Sequence, residues 1–151
     1  MSPQFWEDVA QGDALTPLAF PLSVARLVVA AGANRDFNAI HHNSEYAKAT
    51  GAPEMYANTL FLQGMWERAV RDFIGLNGQL LGMKGFRMSS FNLVGDTVTV
   101  KGEVIRTWRE GGRGLIEIRI WSENAKGISV GPGSVIASMP CRFDMPDGLA
   151  C

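Results

Sequence analysis

The chain is poor in the residues that build covalent or metal-held frameworks. It has two cysteines, Cys141 and Cys151, and two histidines, His41 and His42, in 151 residues. So few sulfur and imidazole ligands suggest neither a disulfide framework nor a zinc site, and a reduced, cytoplasmic compartment is expected. An excess of charge of one sign is also missing: 14 Lys and Arg stand against 15 Asp and Glu, a formal net charge of −1. Extended contact with nucleic acid needs a basic surplus to neutralise phosphates, so that class is set aside, while a basic pocket for a single anionic ligand stays open. No apolar run reaches the roughly 18 residues of a membrane span, and Glu7 and Asp8 stand where a cationic leader would be. With 46% hydrophobic and 19% charged residues, the composition is that of a globular protein. Its length suits one domain over residues 1–151, with a core from about 6 to 143.

Along the chain, the periodicity is helical first and strand-like afterwards. A small amphipathic piece, Phe5-Trp6-Glu7-Asp8-Val9, ends in the turn Gly12-Asp13. Leu15 to Leu22 is apolar, but Pro17 and Pro21 each lack a donor, which predicts a short or edge strand. Ser23 can cap a helix carrying Ala25, Leu27, Val28, Val29 and Ala31, which Gly32 ends. Asn43 or Ser44 can cap a second short helix, Glu45 to Thr50, stopped by Gly51 and Pro53. A longer helix is predicted from Thr59 to Ile74, capped by Asn58, with Leu60, Phe61, Met65, Ala69 and Phe73 on its apolar face. Gly64 inside it costs about 1 kcal/mol relative to Ala, a cost that close approach of a sheet would explain. From Gln79 onward the period is two. Strands are predicted over Leu80–Phe91, Val94–Ile105, Leu115–Ser122 and Ser134–Phe143, with Gly131-Pro132-Gly133 breaking the chain before the last. The tail, Pro146-Asp147-Gly148, is expected to fray. Hairpin-length links make the sheet mainly antiparallel, so the class is α+β, with one long helix wrapped by a curved sheet.

Both histidines fall in Asp36-Phe37-Asn38-Ala39-Ile40-His41-His42-Asn43, which sets a carboxylate and an imidazole five positions apart on a loop. Two such groups converging in a cleft can hold and activate one water. On spacing alone, a turn-capping Asp and a backbone-bonded His is the simpler reading. His42 reads as a neighbour of the pair, because adjacent side chains seldom share a site. Two His and one Asp lack the further ligands a zinc site needs, so no metal is expected. Lys84, Arg87 and Arg106 read as surface charge, and Met55, Tyr56 and Phe61 as core or interface.

The Asp-x-Asn-x-Ile-His pattern, the following Tyr46-Ala47-Lys48-Ala49-Thr50-Gly51, the long helix and the strand start Val94-Gly95-Asp96-Thr97-Val98 together resemble the MaoC-like hot-dog hydratases. These are the (R)-specific enoyl-CoA hydratases and acyl dehydratases of fatty-acid and lipid metabolism, and the resemblance runs from about Trp6 to Phe143. It implies a hot-dog fold and a lyase that adds water to a trans-2-enoyl-CoA, giving the (R)-3-hydroxyacyl product, or the reverse. Asp36 and His41 would be the catalytic pair and Asn38 the motif asparagine at the substrate. Asn58 and Thr59 would stand at the helix start, where free amides favour a developing oxyanion. No cofactor is implied beyond the coenzyme A thioester that is itself the substrate. A single hot-dog unit leaves a sheet edge uncovered, so a homodimer is expected, or a heterodimer with another MaoC-like chain. The rival readings are a hot-dog acyl-CoA thioesterase and a non-catalytic acyl-CoA-binding or pairing subunit. Three positions depart from the family pattern. Ala39 replaces a usual Pro and Asn43 a usual Asp, and Tyr56-Ala57-Asn58-Thr59 occupies the place of a His-Gly pair.

Overall fold

The structure is a computed structural model that describes residues 5–142. Phe143, the tail Pro146-Asp147-Gly148 and Cys151 lie outside the described residues. Five strands form one antiparallel sheet: β1 (Leu18–Pro21), β2 (Gln79–Lys84), β3 (Thr97–Glu110), β4 (Arg113–Asn124) and β5 (Gly127–Met139), in the spatial order β1-β3-β4-β5-β2. Three helices, α1 (Val24–Ala33), α2 (Ser44–Ala49) and α3 (Thr59–Ile74), fall between β1 and β2 in the chain. The sheet curls around α3, which packs against β2, β3, β4 and β5. This is the α+β hot-dog arrangement expected from the sequence. Among the described residues, no helix is long and apolar enough to cross a membrane.

Strict alternation supplies the sheet's inner face. Val98, Val100 and Val104 of β3 and Ile116, Ile118 and Ile120 of β4 are buried, while Thr97, Lys101 and Glu103 point away from the core. The hairpin between β3 and β4 turns on Gly111 and Gly112, whose φ values of 58° and 74° suit a two-residue connection. β1 lies at a sheet edge, where the missing donor of Pro21 is harmless.

The strand boundaries differ from expectation where glycines redirect the chain. The strand expected over Leu80–Phe91 ends at Lys84, because Gly85 takes φ 67° and leads the chain out of the sheet. β3 begins three residues later than expected, after the turn at Gly95 (φ 90°), and runs on to Glu110. Gly131-Pro132-Gly133 does not precede the last strand but lies inside it. Ile120 pairs with Gly133 and Ser122 with Val130, so β5 carries one extra residue there, a bulge that absorbs the Pro. Cys141 is buried.

The face that α3 buries is rotated from the expected one. Leu62, Met65, Trp66, Ala69, Val70, Phe73 and Ile74 are buried, whereas Leu60 is 54% exposed and Phe61 only half-buried. Trp66 sets this rotation. Its indole is fully buried, donates from Nε1 to Ser122 Oγ at 2.8 Å, and meets the Phe86 ring edge-on at 4.9 Å. The bulge at Gly131 makes room for it, since a Cβ there would lie 3.0 Å from the indole ring. Nor does Gly64 mark a close approach of the sheet, because a Cβ at that position would meet nothing within 4 Å. Trp66→Phe removes the donor and strands a buried hydroxyl. The expected loss is about 1–3 kcal/mol, read as a lower urea midpoint with an unchanged slope.

Candidate active site

The stretch from Asn34 to His41 owes its shape to two local caps. At the end of α1, Arg35 N–H donates to Gly32 O (3.1 Å) and Asp36 N–H to Ala31 O (2.9 Å), a Schellman closure. That closure needs a left-handed residue, and Arg35 supplies it at φ 54°, the one positive-φ residue other than glycine among the described residues. The turn aims Asp36 back across the helix end. A 3-10 turn, Ala39–His41, follows, and Asn38 caps it by accepting from Ile40 N–H at 3.2 Å. The carbonyl of the Asn38 side chain is thus engaged locally, while its amide remains a donor beside the turn.

His41 Nε2 lies 3.2 Å from Asp36 Oδ2, and on the other side of the ring His41 Nδ1 lies 2.8 Å from the Tyr56 main-chain oxygen. A carbonyl oxygen can only accept, so Nδ1 carries the hydrogen and Nε2 presents a lone pair whenever the ring is neutral. Two acceptors, Nε2 and the Asp36 carboxylate, then face one another. A water that donates one hydrogen to each satisfies both and turns its own lone pairs outward. The imidazole side chain is 9% exposed and the carboxylate 36%, so the pair is sheltered yet reachable. His42 points elsewhere, with Nε2 3.3 Å from Phe37 O, and Asn43 caps α2 by accepting from Tyr46 N–H at 3.0 Å.

Tyr56 is held from three directions. Its N–H donates to Ile40 O at 3.4 Å, and it bridges Leu93 while its neighbours Met55 and Ala57 bond Val94 and Asn92. The Tyr56 ring meets that of His41 edge-on at 5.2 Å and leans on Phe91 at 4.8 Å. Glu54, just upstream, accepts from Met55 N–H at 2.9 Å and pairs with Lys48 at 3.1 Å, tying α2 to this segment. A hydrogen bond from Ser44, the Met55 amide and Lys48 draw its carboxyl down to about 2.

Asn58 caps α3. Its Oδ1 accepts from Phe61 N–H at 2.8 Å and from Asn34 Nδ2 at 3.1 Å, so the end of α1 and the start of α3 share one side chain. Thr59 is the first residue of the helix, and the first-turn amides not met by the cap remain available to an anion. Two cavities flank this region. One of about 550 Å³ lies between α1 and α3 and includes Asn34, Phe61 and Gly64; the other, of about 480 Å³, includes Tyr56, Ala57 and Asn92. Neither is lined by Asp36 or His41; Asn34, two residues before Asp36, lines the first, and Tyr56, whose carbonyl meets His41 Nδ1, lines the second. Among the described residues, no group of three or more His, Cys, Asp or Glu is placed to hold a metal.

No family model matches the chain. A curated relative does: the 3-oxo-4,17-pregnadiene-20-carboxyl-CoA hydratase beta subunit of Mycobacterium tuberculosis is 33% identical over 104 residues, which are 69% of this chain and 77% of the relative. The chain belongs to the MaoC-like hot-dog hydratase family. Among solved structures, a chain of the ChsH1–ChsH2 complex from M. tuberculosis matches with a TM-score of 0.79 and 30% identity, covering 87% of this chain and 98% of that one. The (R)-hydratase from A. caviae involved in PHA biosynthesis matches with a TM-score of 0.80 and 20% identity, covering 89% and 99%. The second likeness is one of fold.

As a member of this family, the chain brings Asp36 and His41 together, places Asn38 at the cap between them, and sets Asn58 and Thr59 at the helix start. Sequence reasoning missed Tyr56 and Asn34. Tyr56 acts through its main-chain oxygen, which every residue type possesses, so no side-chain pattern marks it. Asn34 had a fainter signal, as a polar residue at the end of an apolar helix and two before Asp36. Burial raises the Tyr56 phenol above its ordinary value near 10, and the Asp36 charge adds to the shift. Asp36→Asn removes the second cause and leaves the first. With only two tyrosines in the chain, a near-ultraviolet absorbance titration should show one phenol ionising at lower pH in the variant, and an unchanged curve would refute the electrostatic contact.

Proposed function

We propose that the chain hydrates a trans-2-enoyl-CoA to the (R)-3-hydroxyacyl-CoA, or runs the reverse dehydration, with Asp36 and His41 as the acid–base pair. The observation that carries this is the 3.2 Å Nε2–Oδ2 approach with Nδ1 tied to a carbonyl, which leaves two acceptors facing one water site. In this reading the water donates to His41 Nε2 and to Asp36, and its oxygen attacks Cβ. The O–H bond to Nε2 breaks as the Cβ–O bond forms, and the displaced π electrons collect on the thioester oxygen as an enolate. The amides of Asn58 and Thr59 meet that charge at the positive end of α3. The imidazolium then returns its proton to Cα from the side on which water added, so the pair ends as it began. No cofactor enters. Asp36→Asn and His41→Ala should each lower kcat for crotonyl-CoA or a longer enoyl-CoA by about 10²–10⁴-fold. Loss of enoyl absorbance follows this reaction, and full activity in both variants would sink it. Release of free thiol at a rate matching turnover would indicate a thioesterase instead.

A second strand of the proposal concerns pairing. The relative is named a beta subunit and the solved neighbour a two-chain complex. Of the two sheet edges here, β1 is blunted by Pro21, whereas β2 carries Leu81, 46% exposed, on an open edge. We therefore place the partner, an identical copy or a different MaoC-like chain, along β2. Size-exclusion chromatography across a concentration series should show a dimer, or a monomer that becomes one on adding the partner chain. A monomer that persists in both cases would refute the pairing.

A further inference from the structure

Asn58 closes a circuit with the reacting pair. Asp36 meets His41, and His41 meets the Tyr56 carbonyl two residues before Asn58. Asn58 in turn is bonded to Asn34, two residues before Asp36. The side chain is 3% exposed, yet only half of its carboxamide is used. Oδ1 accepts from Phe61 N–H at 2.8 Å and from Asn34 Nδ2 at 3.1 Å, which fills both lone pairs. Nδ2 is buried with no partner among the described residues. Turning the carboxamide over would not relieve it, because Nδ2 would then face Phe61 N–H, donor against donor.

The stranded amide is avoidable. Serine caps a helix about as well as asparagine and has no amide to strand. The same chain does this at α1, where Ser23 accepts from Arg26 N–H at 3.2 Å. A buried donor left open beside a reacting pair therefore calls for a ligand that meets it. That ligand must be an acceptor, because Nδ2 only donates. It is also favoured by positive potential. The helix behind it has 16 residues, and the Thr59 and Leu60 amides lie outside the bonds that Asn58 makes to Phe61 and Leu62. We propose that Asn58 is a further catalytic residue, its side-chain Nδ2 donating to the thioester oxygen as that oxygen gains charge, and that Asn34 is a positioning residue that holds the carboxamide in this sense. The assignment rests on the enoyl-CoA reading above and adds a side-chain donor to its main-chain amides. A neutral thioester carbonyl accepts weakly and an enolate oxygen strongly, so the bond tightens as water adds to Cβ. Nδ2 keeps its hydrogens throughout, and the proton that moves is the one His41 carries from water to Cα.

The test uses the full chain in the oligomer that size-exclusion chromatography identifies. Asn58→Ser and Asn58→Asp both keep an oxygen for the Phe61 amide and lose the nitrogen, and thermal unfolding is followed alongside to show that the fold holds. With crotonyl-CoA, kcat should fall by about 10²–10³-fold in both variants while KM changes little. Asn34→Ala should show a smaller loss of the same kind. The second readout is the infrared carbonyl band of butyryl-CoA carrying carbon-13 at the thioester carbon, which has no double bond to hydrate. On binding to the wild type this band should move to lower frequency, and the shift should shrink in Asn58→Ser and Asn34→Ala. A band that does not move with the wild type, or moves equally with Asn58→Ser, overturns the assignment. Full kcat in Asn58→Ser overturns it too and leaves the amide to a buried water. A loss of kcat that only tracks a loss of thermal stability, with the band shift intact, marks Asn58 as a cap alone and has the same consequence. If the band responds as expected but the wild type hydrates no enoyl thioester, the donor stands and the hydratase reading fails. If hydration proceeds and the band ignores Asn58, the reverse holds.

Discussion

The hydrogen bond between His41 Nδ1 and the Tyr56 carbonyl is the constraint on which the rest of the site depends. An imidazole has two nearly equivalent nitrogens, and only a fixed partner on one decides what the other offers. Here that partner is main chain, and it is held as firmly as a strand. The segment 55–57 is bonded to Ile40 on one side and to residues 92–94 on the other. The carbonyl cannot follow the ring if the ring swings. His41 therefore presents Nε2 toward Asp36, whose own direction is set by the Schellman turn at Arg35.

The hot-dog sheet contributes at one remove. By curling around α3 it fixes the axis of that helix, and the buried Trp66–Ser122 bond fixes its rotation. Once the axis and rotation are set, the first turn of α3 has one place to point its free amides. Asn58 joins that turn to α1 through Asn34, so the helix start and the loop carrying Asp36 move together. A geometry shared between a loop and a helix end needs such a tie, because loops tolerate displacement that helices do not.

Much of the fold was legible in the sequence because strands and helices announce themselves by period. The valines of β3 and the isoleucines of β4 alternate so cleanly that their faces follow directly. The long helix and its Asn58 cap were equally readable. The misreadings occur where tertiary packing overrides a local signal. Gly131-Pro132-Gly133 looks like a break, but a bulge lets β5 continue through it, and the space thereby made receives the Trp66 ring. Leu60 and Phe61 look like core by spacing, yet the large indole five or six positions on decides which face turns inward. At the site, Asp36 and His41 were visible as side chains with chemistry. Tyr56 was not, because what it supplies is a carbonyl.

Departures from local rules concentrate around the start of α3, and their clustering is informative. Arg35 holds a left-handed conformation that glycine would adopt freely. Gly64 interrupts a helix with no atom nearby to justify it. The amide nitrogens of Asn58 and Asn92 are buried without a hydrogen-bond partner among the described residues. Each feature costs stability, and the sheet, where alternation and pairing agree almost everywhere, offsets them. A sequence under selection for stability alone has simple remedies at these positions: Gly at 35, Ala at 64, and a cap that leaves no amide stranded. Arg35 adjoins Asp36, and Asn58 caps the helix start that Asn34 ties to the same loop, so the regular remainder of the fold makes this irregularity tolerable.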